Sequence, residues 1–319
     1  MQGWRSSNED AHVTAMNIDP NVHLFAVFDG HGGCEVAKFC EAHIIQELKA
    51  DKDYQSKNYE KALTNVFLKI DKMLLTNEAK TELKSYSKTQ GGMPGMQQGD
   101  LAFTAGCTAN VILITETHIY CANSGDARGV VCEKGKSLDL SKDHKPDLPA
   151  ERSRVIAAGH YVEESRVDGV IAISRALGDW EYKNQKLQPE KMAVSGFPDV
   201  TKTAISPNTE FIICACDGIW DCMTSQQACD FVKKGKEKLK TYVKSGGKAA
   251  GKAVGTAPKG KKSAAKDAKM ETTIDNSKFK GLATVVEMIF EQNCPTNLHQ
   301  SEGLGCDNMT CIIIDFNRQ

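Results

Sequence analysis

Two short, nearly unbroken apolar runs constrain this chain more than any other feature. Val22-His23-Leu24-Phe25-Ala26-Val27-Phe28 runs straight into Asp29-Gly30, and Phe211-Ile212-Ile213-Cys214-Ala215-Cys216 runs straight into Asp217-Gly218. Runs of this length, rich in β-branched and aromatic residues and ended by a turn dipeptide, read as buried strands. Each delivers an aspartate to the rim of a sheet, and the glycine behind it lets the backbone turn sharply and leaves its carbonyl open to a ligand.

Further strands are expected at 108–114, 118–122, 129–132, 170–174 and 310–316, separated by polar turns as in a meander. Val36, Cys40, Ile44 and Leu48, with Phe39 beside them, mark one helix, and Leu63, Phe67, Ile70 and Leu74 mark a second over about 58–76. Two more are expected over 150–158 and 279–292. Thr224 and Gln227 form a capping box at the start of another. Strands and helices do not alternate regularly enough for a parallel α/β sheet. The expected class is α+β, with two antiparallel sheets packed as a central sandwich and helices outside them, a four-layer α/β/β/α arrangement. The glycine-, methionine- and glutamine-rich stretch 91–99 reads as a surface loop.

The net charge of −1 conceals an asymmetry: between Lys233 and Lys269 thirteen lysines face Glu237 and Asp267, a local +11 that leaves −12 for the rest. Residues 246–268 hold almost no large apolar side chains and cannot bury enough surface to order themselves. The expectation is a single domain over 1–319 with a disordered insertion at about 245–270. That lysine tract is either an inert loop, an arm for acidic partners or membrane surfaces, or a nuclear address. An acidic body argues against nucleic-acid binding by the folded part. The twelve cysteines are scattered without a CxxC pair, which suits reduced thiols rather than a zinc ribbon or disulfide framework. No run approaches the roughly 20 apolar residues of a membrane span. Met1-Gln2-Gly3 offers neither a signal peptide nor a myristoyl site, so a cytoplasmic location is expected, with the nucleus as the alternative.

A single Asp-Gly is usually a turn. Here several acids sit at predicted strand ends: Asp29 and Asp217, Asp126 after the 118–122 strand, Asp307 before the last strand, and the pair Glu9-Asp10 near the start. Carboxylates gathered at one rim repel and desolvate one another, and cations would stabilise them. Hard oxygen donors without clustered cysteine or histidine suit Mg²⁺ or Mn²⁺ and disfavour zinc.

At these residues the chain resembles the PP2C-type metal-dependent protein phosphatases. The motifs stand in family order: RSSNEDAH from Arg5, FDGHGG from Phe28, GCTAN from Gly106, NSGDAR from Asn123, DHKP from Asp143, SRALGD from Ser174, CDGIWD from Cys216 and DNMT from Asp307. The resemblance implies a protein serine/threonine phosphatase, a monomer acting on phosphorylated proteins, in which a hydroxide bridging two ions attacks phosphorus. It implies Asp29, Asp217, Glu9 and Asp307 as ligands, the carbonyl of Gly30 as a further ligand, and Asp10 holding metal-bound water. Arg5 would bind phosphate, as a guanidinium fork can, and His31 would protonate the leaving oxygen. Asp126 and Asp221 resemble a pair that holds a weaker third ion, or serve structure alone. Trp180–Phe197 corresponds to the family's variable flap. Two other readings stay open: an inactive phosphatase-like scaffold, which would have lost ligands, and a phosphoesterase for a small metabolite, for which the chain carries no nucleotide fingerprint.

Overall fold

The computed structural model describes residues 1–87, 101–244, 281–297 and 301–316. Five antiparallel strands form one sheet, in spatial order Ala11–Asp19, Val22–Phe28, Ala109–Ile114, His118–Ser124 and Asp199–Ala204. Four form the other, in order Cys311–Asp315, Thr209–Ala215, Arg128–Glu133 and Lys136–Asp139.

Side-chain alternation within the two apolar runs shows why both must be dry. Phe25 and Val27 point into the seam between the sheets, against Ile112, Ile212, Cys214 and Cys216. Leu24, Ala26 and Phe28 point the other way, onto Val36, Phe39 and Ile44 of helix Glu35–Ala50 and Leu63, Phe67 and Ile70 of helix Tyr59–Met73. In Thr209–Ala215 the odd residues Phe211, Ile213 and Ala215 meet Cys229 and Val232 of helix Ser225–Lys244 and Val285 and Ile289 of helix Leu282–Asn293. The result is the four-layer α/β/β/α sandwich, with each central strand sealed by a sheet on one face and helices on the other.

A polar knot sits inside that seam. Asn110 Nδ2 donates to Asn123 Oδ1 at 2.9 Å and to Ser141 Oγ at 3.1 Å, and Gly129 N donates to the same Oγ at 3.1 Å. Both asparagines are fully buried. A one-residue slip would strand these groups without partners, so the knot fixes register.

Some expectations need correction. Residues 170–174 form no strand. Val167 and Ile171 make an isolated bridge, and Ile173 is buried with Val155, Val162, Tyr182 and Val194 in a separate small cluster. The apolar signal was real, but it serves loop packing. The edge strands Ala11–Asp19, Lys136–Asp139 and Asp199–Ala204 and the helix Asn77–Ser87 were not anticipated. The lysine-rich insertion and the 91–99 loop fall outside the described residues. Among the described residues the twelve cysteines are free thiols, and no helix is long and apolar enough to cross a membrane.

The capping box forms: Thr224 N donates to Gln227 Oε1 at 2.9 Å, and Gln227 N donates to Thr224 Oγ1 at 3.2 Å. Neither residue lines the acidic cleft. Thr224→Ala should therefore lower stability by about 1 kcal/mol, seen as a lower urea midpoint, while leaving divalent-ion affinity unchanged.

Candidate active site

One end of the seam opens into a cleft of about 690 Å³. Arg5, Glu9, Asp29, Gly30, His31, Asp126, Asp217, Asp221 and Asp307 all line it, and Asp10 lies beneath its floor. The acids anticipated from strand ends therefore converge on one place.

The two apolar strands set the centre. Asp29 continues the inward parity of Phe25 and Val27 and emerges at the cleft floor. Its backbone is clamped by Thr108, whose N donates to Asp29 O at 2.8 Å and whose Oγ1 accepts from Asp29 N at 3.3 Å. Asp217 opens the one-turn helix Asp217–Trp220 directly after the other strand. Gly218 is required there, because a Cβ would overlap the carbonyl oxygen of Asn308. A Cβ on Gly30 would likewise strike the carbonyl oxygen of Glu9.

The first and last segments of the chain are tied together by Asn308. Its Oδ1 accepts from Glu9 N at 2.8 Å, and its Nδ2 donates to Gln2 O at 2.8 Å and Ser7 O at 2.9 Å. Glu9 is then oriented by Ser7 Oγ, 3.0 Å from Oε1, and Gly33 N, 3.1 Å from Oε2. Arg5 Nη2 reaches Asp307 Oδ2 at 2.5 Å, and its exposed guanidinium keeps other N–H groups free for a ligand.

Electrostatics show what the cluster lacks. Burial raises the pKa of Asp29 well above the carboxylate range, and Asp217, Asp10 and Asp126 raise it further. Burial, then Asp126 and Asp221, pushes Asp217 from 3.8 up to about 7. The Asp29 and Asp217 carboxylates come close enough to share a hydrogen bond. Burial likewise raises Asp10, whose Oδ2 accepts from Thr310 Oγ1 at 2.6 Å while its buried Oδ1 has no hydrogen-bond partner. An orphaned buried oxygen beside mutually repelling carboxylates fits a site built for cations. Oxygens of Asp10 and Asp29 and the sulfur of Cys216 lie within 4.8 Å of one another. That thiol accepts a hydrogen bond from Thr310 N at 3.1 Å, and burial pushes its pKa well up, so the available donors are oxygens.

The outer acids are arranged differently. Asp126 accepts a hydrogen bond from Lys145 Nζ. Burial alone would lower the pKa of that ammonium, but Asp126, with Asp217 and Asp221 behind it, holds it above its ordinary value. Burial raises Asp221; Lys145 offsets this in part and Asp126 adds to it.

Asn308, Asp179, Thr108 and Lys145 had no role assigned from the sequence, although all four stand inside quoted motifs. Gly30–His31 pairs with Gly106–Cys107, which pairs with Leu177–Gly178, and this small ribbon carries Asp179 to His31. Asp179 is buried and adopts the left-handed conformation (φ 51°, ψ 43°), which aspartate tolerates better than most residues. Its carboxylate lies 2.8 and 2.9 Å from His31 Nε2, across Gly106, where any Cβ would collide with it. Burial lowers the imidazole's pKa, but the Asp179 carboxylate, with Asp126 and Glu9 behind it, holds His31 above its usual value. Only a long-range contact map would have revealed this pair. The cleft wall comes from Arg166 and Val170–Ile173 with Glu181 and Tyr182. Most of the segment 180–197, expected as the flap, lies elsewhere.

A half-buried ring of hard oxygen donors, with a guanidinium and an imidazole at its rim, defines the class of metal-dependent phosphoester hydrolases. Comparison with known proteins gives the family. Residues 1–259 match the model for Protein phosphatase 2C. "Probable protein phosphatase 2C 5" of Paramecium tetraurelia is 40% identical over 317 residues, covering 99% of this chain and 90% of that protein. "Protein phosphatase 2C 1" of the same organism is 38% identical over 325 residues, covering 100% and 91%. The crystal structure of a serine-threonine phosphatase 2C from Toxoplasma gondii shares the fold with a TM-score of 0.68 at 17% identity, over 99% of this chain and 92% of that one. This chain belongs to the protein phosphatase 2C family and is a protein phosphatase.

Because Asp217 titrates higher in the folded protein than in the unfolded chain, it favours folding while protonated. That contribution is present below about pH 4 and is lost as pH rises towards 7. In EDTA, Asp217→Asn should therefore gain thermal stability over wild type as pH rises from 4.5 to 7.5. The gain should reach a few degrees, at roughly 2–4 °C per kcal/mol of repulsion relieved. Mn²⁺ should stabilise wild type far more than the variant. Melting curves at several pH values check both.

Proposed function

We propose that this phosphatase hydrolyses phosphoserine and phosphothreonine in proteins, using two Mg²⁺ or Mn²⁺ ions held by Glu9, Asp29, Asp217, Asp307 and the Gly30 carbonyl. In this reading Asp10 would orient water in the site, and Asp126 and Asp221 would hold a weaker third ion. The observation that carries it is the meeting of these acids, from both ends of the chain, around the unpartnered Asp10 Oδ1. The ions, when bound, supply the Lewis acidity that activates water and neutralises phosphoryl oxygens.

The chain's own residues do the rest. Arg5 is held in place by one arm on Asp307 and offers its remaining N–H groups to the equatorial oxygens of the phosphoryl group. His31 donates a proton to the serine or threonine oxygen as it leaves, because an alkoxide is too poor a leaving group to depart unprotonated. Asp179 favours the protonated imidazole and fixes its ring through Nε2. Retention of the whole acid set argues against an inactive scaffold.

A phosphothreonine peptide should be hydrolysed with Mn²⁺ and not with EDTA, and Asp217→Asn should lose at least about 10²-fold in kcat. His31→Gln and Asp179→Asn should slow the peptide by about 10²-fold and p-nitrophenyl phosphate much less, since its phenolate leaves without a proton. Activity that survives EDTA, or equal losses on both substrates, would count against these roles.

A further inference from the structure

Besides Arg5, the cleft is lined by Arg166 in its wall and by Lys145, whose ammonium is paired with one of the site's own acids. Lys145 reaches in from its loop and places its ammonium on Asp126 Oδ2, with the lysine side chain 36% exposed and the aspartate side chain 4% exposed. The loop that carries it is tied down beside Asp126. His144 N donates to Gly125 O at 3.0 Å, Gly125 N donates to His144 Nδ1 at 3.2 Å, and Asn123 Nδ2 donates to Lys142 O at 3.0 Å. The base of Lys145 is therefore fixed while its four-carbon stem leaves the ammonium free to swing.

No other side-chain hydrogen bond to the Asp126 carboxylate is found among the described residues, so its acceptor capacity is directed at this ammonium. Asp217 and Asp221 act on the same charge. A divalent ion held by Asp126 and Asp221 would meet the like charge of the Lys145 ammonium already paired with Asp126. The inner carboxylates are different: Asp29, Asp217 and Asp10 crowd one another, and among the described residues no lysine or arginine is hydrogen-bonded to them.

We propose that Lys145 is a tethered cation that competes for the outer carboxylates, so that a third divalent ion binds at Asp126 and Asp221 only when the ammonium swings away. Lys145 thereby sets the affinity of the outer position and leaves the inner pair alone. This rests on the two-ion reading above.

The test is a Mn²⁺ titration of the EDTA-stripped protein, followed by calorimetry and by the electron paramagnetic resonance signal of free Mn²⁺. In wild type, two ions should bind tightly and a third weakly. Lys145→Met should tighten the weak step by about threefold to fivefold, the scale of losing one partly exposed ion pair, and leave the tight steps within about twofold. Lys145→Arg, which keeps the charge, should behave as wild type. Lys145→Gln carries the same expectation as the methionine variant should that one fail to fold. A weak step unchanged in the neutral variants, or tightened equally by arginine, overturns the inference while leaving the two-ion reading intact. Absence of any tight Mn²⁺ step in wild type overturns both.

Discussion

The structure depends on a crowd of carboxylates forced together by packing they do not control. Strands Val22–Phe28 and Thr209–Ala215 are buried on both faces, and their ends project Asp29 and Asp217 into the same opening of the seam. Hydrophobic burial over those strands is worth far more than the repulsion at their tips, so the acids stay together even when no cation relieves them. Burial first, and the neighbouring carboxylates second, raise the pKa values of Asp10, Asp29 and Asp217. Glycines at 30 and 218, both pressed against carbonyl oxygens, let the chain turn away without blunting the site.

Around this centre the fixed polar contacts are of two kinds. Some position a donor: Asn308 joins the first loop to the last strand and so sets Glu9, and Thr108 clamps the backbone of Asp29. Others place a counter-charge at the rim, where it can move: Arg5 on Asp307, and Lys145 on Asp126. The Arg5–Asp307 pair is solvated and cheap to displace, which suits a group that must exchange partners as phosphate arrives; Lys145 is partly exposed while its partner Asp126 is buried. His31 sits between the two kinds, on a ribbon short enough to be rigid, with its partner Asp179 reached only because Gly106 has no side chain.

Much of this was legible in the sequence because the decisive signals are local. An apolar run ending in Asp-Gly states both a buried strand and an acid at its tip, and Thr224 with Gln227 states a helix start. The edge strands were not legible. Asp199–Ala204 has no buried residue and few apolar ones, and Ala11–Asp19 mixes buried Ala11 and Val13 with exposed His12, Thr14, Met16 and Asn17, so both owe their strand pairing to their neighbours' hydrogen bonds more than to a strong apolar signal of their own. Residues 170–174 misled for the converse reason, since an apolar run in a loop looks like one in a sheet. Asp179 and Asn308 could be seen as members of motifs, but their partners lie 148 and about 300 residues away, and no local pattern carries that distance.

The central claim is that Asp29 and Asp217 belong to one site holding two neighbouring divalent ions. The electron paramagnetic resonance spectrum of the protein loaded with two equivalents of Mn²⁺ tests it most directly. Ions a few ångströms apart couple magnetically, so the account predicts an exchange-coupled multiline spectrum in wild type and its loss in Asp29→Asn. Two uncoupled six-line signals in wild type, or a coupled spectrum that survives Asp29→Asn, would contradict it.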